Sequence, residues 1–165
     1  MGEEVQATQP AVRRVAGALA DLGITAEIVE FSQSTRTAEE AAQAIGTTVE
    51  RIVKSLIFMA GDEMLLVLTS GGNRVDTARL GEALGVPIKR ADAAAVRQAT
   101  GFAIGGVPPI GHACTLPVVI DRDLLQYDLV FAAAGTPHAI FPITPEDLCR
   151  ITAARILDIK AHAEP

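Results

Sequence analysis

The stretch RIVKSLIFMAGDEMLLVLTS, residues 51–70, sets two apolar runs on either side of a Gly-Asp-Glu segment. Runs of this length around a turn signal predict two antiparallel strands joined as a hairpin. In the first run, alternation puts Ile52, Lys54, Leu56 and Phe58 on one face and Val53, Ser55, Ile57 and Met59 on the other. Both faces are mostly apolar, so both are expected to be covered by other parts of the chain. Lys54 then stands among three large apolar neighbours, where an unpaired ammonium is costly.

The covering elements are legible on either side of the hairpin. PAVRRVAGALADL (10–22) carries Val12, Val15, Ala16, Leu19 and Leu22 on one helical stripe, with Gly23 as its C-terminal stop. TAEIVEF (25–31) alternates as a strand does, and TAEE (37–40) is a capping box that opens a helix ending near Gly46. Asp76 and Asp92 can cap helices over 77–84 and 93–99, closed by Gly85 and Gly101. The prolines and glycines of FAIGGVPPIGHACTLP (102–117) predict a loop. VVID, DLVFAAA and HAIFPIT read as strands, and Thr144-Pro145 opens a last helix. Strands and helices mix without regular βαβ alternation. The expected class is α+β, one domain over 1–165, with a mixed sheet curled into a partial barrel and helices packed outside.

Composition narrows the function classes. The 165 residues are 49% hydrophobic and 21% charged, with no Trp, so an aliphatic core is expected. No segment approaches the ~20 apolar residues of a membrane helix, and the acidic start MGEEVQATQP argues against a secretory signal. Gln6 argues against myristoylation at Gly2. Cys114 and Cys149 read as free thiols of a reducing, cytoplasmic setting. His112, His138 and His162 form no close-spaced ligand pair, so no metal site and no cofactor are expected. A net charge of −6 tells against a broad grip on DNA or RNA and allows a nucleic acid held by one end.

Three pieces carry candidate chemistry, and residue types leave each with two readings. Lys54 is either a strand lysine whose head snorkels to water or an ammonium aimed into a cleft. In GFAIGGVPPIG, Gly105 and Gly106 either present N–H groups to a ligand, stiffened by Pro108 and Pro109, or simply allow an irregular turn. In AAAGTPHAIF, His138 follows the turn Gly135-Thr136-Pro137, as a hydrogen-bond donor to a ligand or as a half-buried structural residue. Arg74 could meet a phosphate or only solvent. Neither a GxSxG elbow, a Walker loop nor a GxGxxG fingerprint is present.

Taken together, RIVKSLIF, GNRVDTARLGEALG, TGFAIGGVPPIGH, LPVVIDRDLLQYDLVFAAAGTPHAIFPITPEDL and ARILDI, in this order over residues ~35–159, resemble the YbaK/ProX family of aminoacyl-tRNA deacylases. That family includes the editing domain inserted in bacterial prolyl-tRNA synthetases. The resemblance implies a barrel-like α/β fold that hydrolyses the ester joining a wrong amino acid to the 3′ adenosine of tRNA, without cofactor or protein nucleophile. It implies that Lys54 holds the terminal phosphate or positions the substrate. Gly105 to Pro109, with Gly106, Val107 and Pro108 between them, correspond to a GxxxP loop whose amides bind the ester carbonyl. Gly135, Thr136, Pro137 and His138 correspond to its GxPH segment. Pocket walls are expected from Phe31, Ile52, Leu56 and the 102–110 loop. The implied substrate is tRNA(Pro) carrying a small amino acid such as Ala or Cys, recognised at the acceptor end or with help from prolyl-tRNA synthetase. A non-catalytic tRNA- or synthetase-binding module, or a small-metabolite binder, are the competing expectations.

Overall fold

The computed structural model describes residues 9–161; the readings made on the first eight residues and on His162 lie outside them. Strands are β1 Val29–Glu30, β2 Ile52–Ala60, β3 Glu63–Ser70, β4 Ile88–Arg90, β5 Val118–Asp121, β6 Val130–Ala133, β7 Ala139–Ile143 and β8 Arg155–Leu157. Helices are α1 Pro10–Asp21, α2 Ala38–Ile45, α3 Thr77–Leu84, α4 Ala93–Thr100 and α5 Pro145–Thr152.

The hairpin is the centre of this architecture. β2 and β3 pair antiparallel from Val53↔Ser70 to Ala60↔Glu63, leaving a two-residue turn in which Gly61 takes φ 63°. That left-handed backbone suits glycine. The sheet runs β1-β7-β6-β2-β3-β5-β8, with β4 adding to β2, and its parallel pairs are β2/β6, β3/β5 and β5/β8. It is a mixed sheet in an α+β chain, as expected.

Each face of the hairpin is buried by different elements. Val53, Ile57, Leu66 and Leu68 join the largest cluster, with Val15 and Leu19 of α1, Phe102 and Phe141. On the other face, Phe58, Leu65 and Val67 pack with Leu80 of α3 and Ile159, with Leu56 against them. Ile52, on this same face, packs instead with Ala38, Ala41 and Ala42 of α2. Lys54 therefore falls between two apolar patches, in the interval that neither α2 nor α3 covers.

Local chemistry sets the helix ends. Thr37 and Glu40 form the reciprocal capping box, and Asp76, Asp92 and Thr144 each accept N–H bonds from the first turn of their helix. Three expectations need correction. The strand expected over 25–31 is reduced to Val29–Glu30, because β7 offers partners only to those two residues. Ala16 and Leu22, placed on the buried stripe of α1, are exposed. β4 and β8, three residues each, were not anticipated.

Candidate functional site

β2 carries a gap in its pairing. β6 covers Ile52 and Val53, β4 covers Phe58 to Ala60, and between them the edge at Lys54 to Leu56 has no strand partner among the described residues. A cavity of about 340 Å³ opens there. Its walls come from the lead-in and first turns of α2, β2 itself, Gly71 after β3, the loop at Ile104 to Val107, and strands β6 and β7 with Thr136 of the turn between them.

Lys54 is half-buried in this wall, and its Nζ donates a 2.7 Å hydrogen bond to the Asn73 carbonyl. Desolvation lowers its pKa from the ordinary lysine value, opposed by the charges of Glu39 and Asp121 and aided by Arg74. The ammonium thus has a partner within the chain, a backbone carbonyl. The carbonyl is held in turn. Asn73 Nδ2 donates to Asp121 at 2.8 Å and to Asp123 at 3.0 Å. Asp121, fully buried, also accepts from Thr69 Oγ1 and the Ser70 and Asp123 amides. The hydrogen bonds from Lys160 and Asn73 hold the Asp123 carboxyl below the usual carboxylate range.

The glycine loop and the Gly-Thr-Pro-His turn belong to one construction. Gly105 has φ 96°, and a Cβ on Gly106 would lie 2.7 Å from Thr136 Cα and 2.9 Å from the Gly135 carbonyl. The close approach that glycine permits here is to the protein's own backbone. Gly106 N–H donates to the Ala103 carbonyl, which corrects the expectation that it faces a ligand. The neighbouring amides of Gly105 and Val107 have no acceptor among the described residues. Pro108 and Pro109 are buried behind them. His112 Nε2 donates to the Pro108 carbonyl at 2.7 Å, and burial lowers its pKa. His112 therefore anchors the loop rather than forming the pocket rim.

A model of the aminoacyl-tRNA editing domain matches residues 32–151, the span that contains every residue lining the cavity. The chain belongs to the aminoacyl-tRNA editing domain family. A solved structure described as a candidate trans-editing enzyme for prolyl tRNA synthetase superposes with a TM-score of 0.89 at 48% identity, covering 93% of this chain and 99% of that one. The uncharacterized protein YwhH of Bacillus subtilis (strain 168) is 31% identical over 131 residues, 79% of this chain and 83% of its own. A candidate Cys-tRNA(Pro)/Cys-tRNA(Cys) deacylase, EbsC, of Enterococcus faecalis (strain ATCC 700802 / V583) is 24% identical over 131 residues, 78% of this chain and 80% of its own. Against proline–tRNA ligases the chain spans 18–22% of their length. Among the described residues no helix is long and apolar enough to cross a membrane.

Within this editing-domain fold the sequence-selected residues divide into wall and support. Ile52, Lys54, Leu56, Gly105, Val107 and Thr136 line the cavity. Gly106, Pro108, Pro109, Gly135 and Pro137 do not, and they shape the backbone behind it. Phe31 lies outside the wall and packs on the α2 cluster. The ring of His138 also lies outside: its Nδ1 sits 3.3 Å from the Phe31 carbonyl, while its amide bonds Thr136 Oγ1. Arg74 is off the wall and reaches the cavity only through its charge on Lys54.

Sequence reading missed Arg36, Glu39 and Ser55, all of which line the cavity. Ser55 Oγ is buried with no hydrogen-bond partner among the described residues. A hydroxyl left so is a cost that the empty protein carries. Ser55→Ala is therefore expected to leave unfolding unchanged or to stabilise by about 1 kcal/mol, as calorimetry would show; a loss of stability would mean the hydroxyl has a partner. Gly106→Ala should do the opposite. Its methyl meets backbone, and overpacking of this kind costs ~1–3 kcal/mol, readable as a lower urea midpoint.

Proposed function

We propose that this chain hydrolyses the ester of mischarged aminoacyl-tRNA in trans, with tRNA(Pro) bearing a small non-cognate amino acid such as Ala or Cys as its substrate. The observation that carries the proposal is that Lys54 lines one cavity together with Gly105 and Val107, whose amides have no acceptor among the described residues.

An aminoacyl ester is already activated, so catalysis needs placement and charge stabilisation more than a nucleophile. Lys54 would hold the terminal phosphate or orient the ester. The Gly105 and Val107 amides, fixed by the prolines behind them, would receive the oxyanion as water attacks, helped by the adjacent ribose hydroxyl. The scheme uses no cofactor and no protein nucleophile. His138, directed at the Phe31 carbonyl, would act by fixing the β6–β7 turn.

The cavity is small for a ligand site, at the low end of the ~300–1,000 Å³ range, which favours small side chains and excludes large ones by size. Discrimination between neighbours stays modest, since one methylene is worth ~1–3 kcal/mol. The acidic chain offers few cations to the tRNA body. Recognition would centre on the acceptor end, in the cytoplasm, with prolyl-tRNA synthetase as a candidate partner.

A deacylation panel over tRNAs charged with Ala, Cys, Ser and Pro tests the proposal. Release of Ala or Cys from tRNA(Pro), with Pro left attached, is the expected result. Binding without release from any member would assign a non-catalytic module instead.

A further inference from the structure

The cavity holds an acid that the scheme above does not use. Among the described residues Glu39 is the only acid in the wall, which otherwise carries the cations Lys54 and Arg36. Its position does not arise from capping: the box at the start of α2 is completed by Glu40, whose Oε1 accepts the Thr37 amide. The Glu39 side chain makes no hydrogen bond or ion pair among the described residues. Lys54, though near enough to feel the Glu39 charge, gives its ammonium to Asn73 instead. The two opposite charges border one space without touching.

Every aminoacyl ester brings such a space a matching pair of ends. Its α-amino group is largely cationic near neutral pH, since such groups titrate around ~7.7–8. Its phosphate and ester carbonyl are acceptors. An ammonium entering a site with two cations and no acid would be repelled, and placing it on Glu39 also fixes which way the ester lies.

We infer that Glu39 binds the substrate's α-ammonium, making the site selective for amino acids with a free amine over N-acylated ones. This deepens the proposed function and rests on it. An acid in a first helical turn also interacts favourably with the helix dipole, so stability alone would not separate the two roles.

The test is equilibrium binding of two stable 3′-amide analogues of alanyl-adenosine, one with a free amine and one N-acetylated, to the wild type and to Glu39→Gln. Wild type is expected to prefer the free amine by on the order of tenfold or more, the range for a hydrogen bond to a charged group. The preference should fade as pH rises through the amine's own titration. Glu39→Gln should abolish it while leaving the acetylated analogue's affinity unchanged, and Glu39→Asp should restore part of it. A preference that survives in Glu39→Gln, an equal loss for both analogues, or no binding of either by the wild type would overturn the inference. Deacylation is read separately: a protein that binds through Glu39 yet releases no amino acid would sink the hydrolase reading and leave the ammonium site standing.

Discussion

Lys54→Met is expected to lower amino acid release by ~10²–10³-fold, the cost of removing one fixed charge-stabilising donor, while leaving thermal stability unchanged or higher. The two halves of this result have one cause. Lys54 lines the cavity with Ile52 and Leu56, and methionine keeps most of its side-chain volume. What disappears is an ammonium in the interval between two apolar clusters, half-desolvated and held by one carbonyl. Replacing a desolvated charge with an apolar side chain of similar size is often neutral or stabilising.

The pH dependence follows from the direction of the shift. Burial lowers the Lys54 pKa in the folded protein. Below that value both folded and unfolded states are protonated, and the burial cost is fully present. As pH rises from the folded pKa toward the ordinary lysine value, the unfolded chain binds the proton more tightly, and stability gains. Lys54→Met should flatten that gain. Enzyme-dependent release, after subtraction of the alkaline background, should fall over the same interval in the wild type as the ammonium is lost. A methionine variant with full activity would remove Lys54 from the mechanism.

Asp121→Ala is expected to have the largest effect on stability, a loss of ~3–5 kcal/mol, the range for breaking a buried charged network by removing one partner. The carboxylate is completely buried and serves Thr69, Ser70, Asn73 and the Asp123 amide at once. Its removal takes the side-chain acceptor from Thr69 and from the Ser70 and Asp123 amides, in a place water does not reach. It also leaves Asn73, whose carbonyl holds Lys54, braced by Asp123 alone, so catalysis should weaken together with the fold. Urea unfolding of the variant reads the first effect. A change below about 1 kcal/mol, the scale of one ordinary hydrogen bond, would show that the network does not brace the 71–74 turn.

Much of this arrangement can be read from residues alone where the cause is local. The hairpin follows from two apolar runs around Gly61, and the caps at Thr37, Asp76, Asp92 and Thr144 follow from side chains that reach their own helix. β1 was overdrawn because alternation over 25–31 says nothing about how far a partner extends. β4 and β8 are too short to show a pattern, and they owe their conformation to β2 and β5 beside them. Lys54 stood out as a charge in an apolar strand, but a backbone carbonyl such as that of Asn73 leaves no mark in a sequence. Gly106 is singled out by its place in a glycine- and proline-rich loop, but that the glycine admits the Thr136 backbone shows only in the fold. Arg36, Glu39 and Ser55 became visible only with the gap between β6 and β4, which no single segment encodes.

The most direct test is a crystal structure with the stable 3′-amide analogue of alanyl-adenosine. The analogue should occupy the gap beside β2, its carbonyl oxygen within hydrogen-bond distance of the Gly105 or Val107 amide and its adenosine end toward Lys54. Density for it elsewhere on the protein, with this cavity left open, would contradict the account.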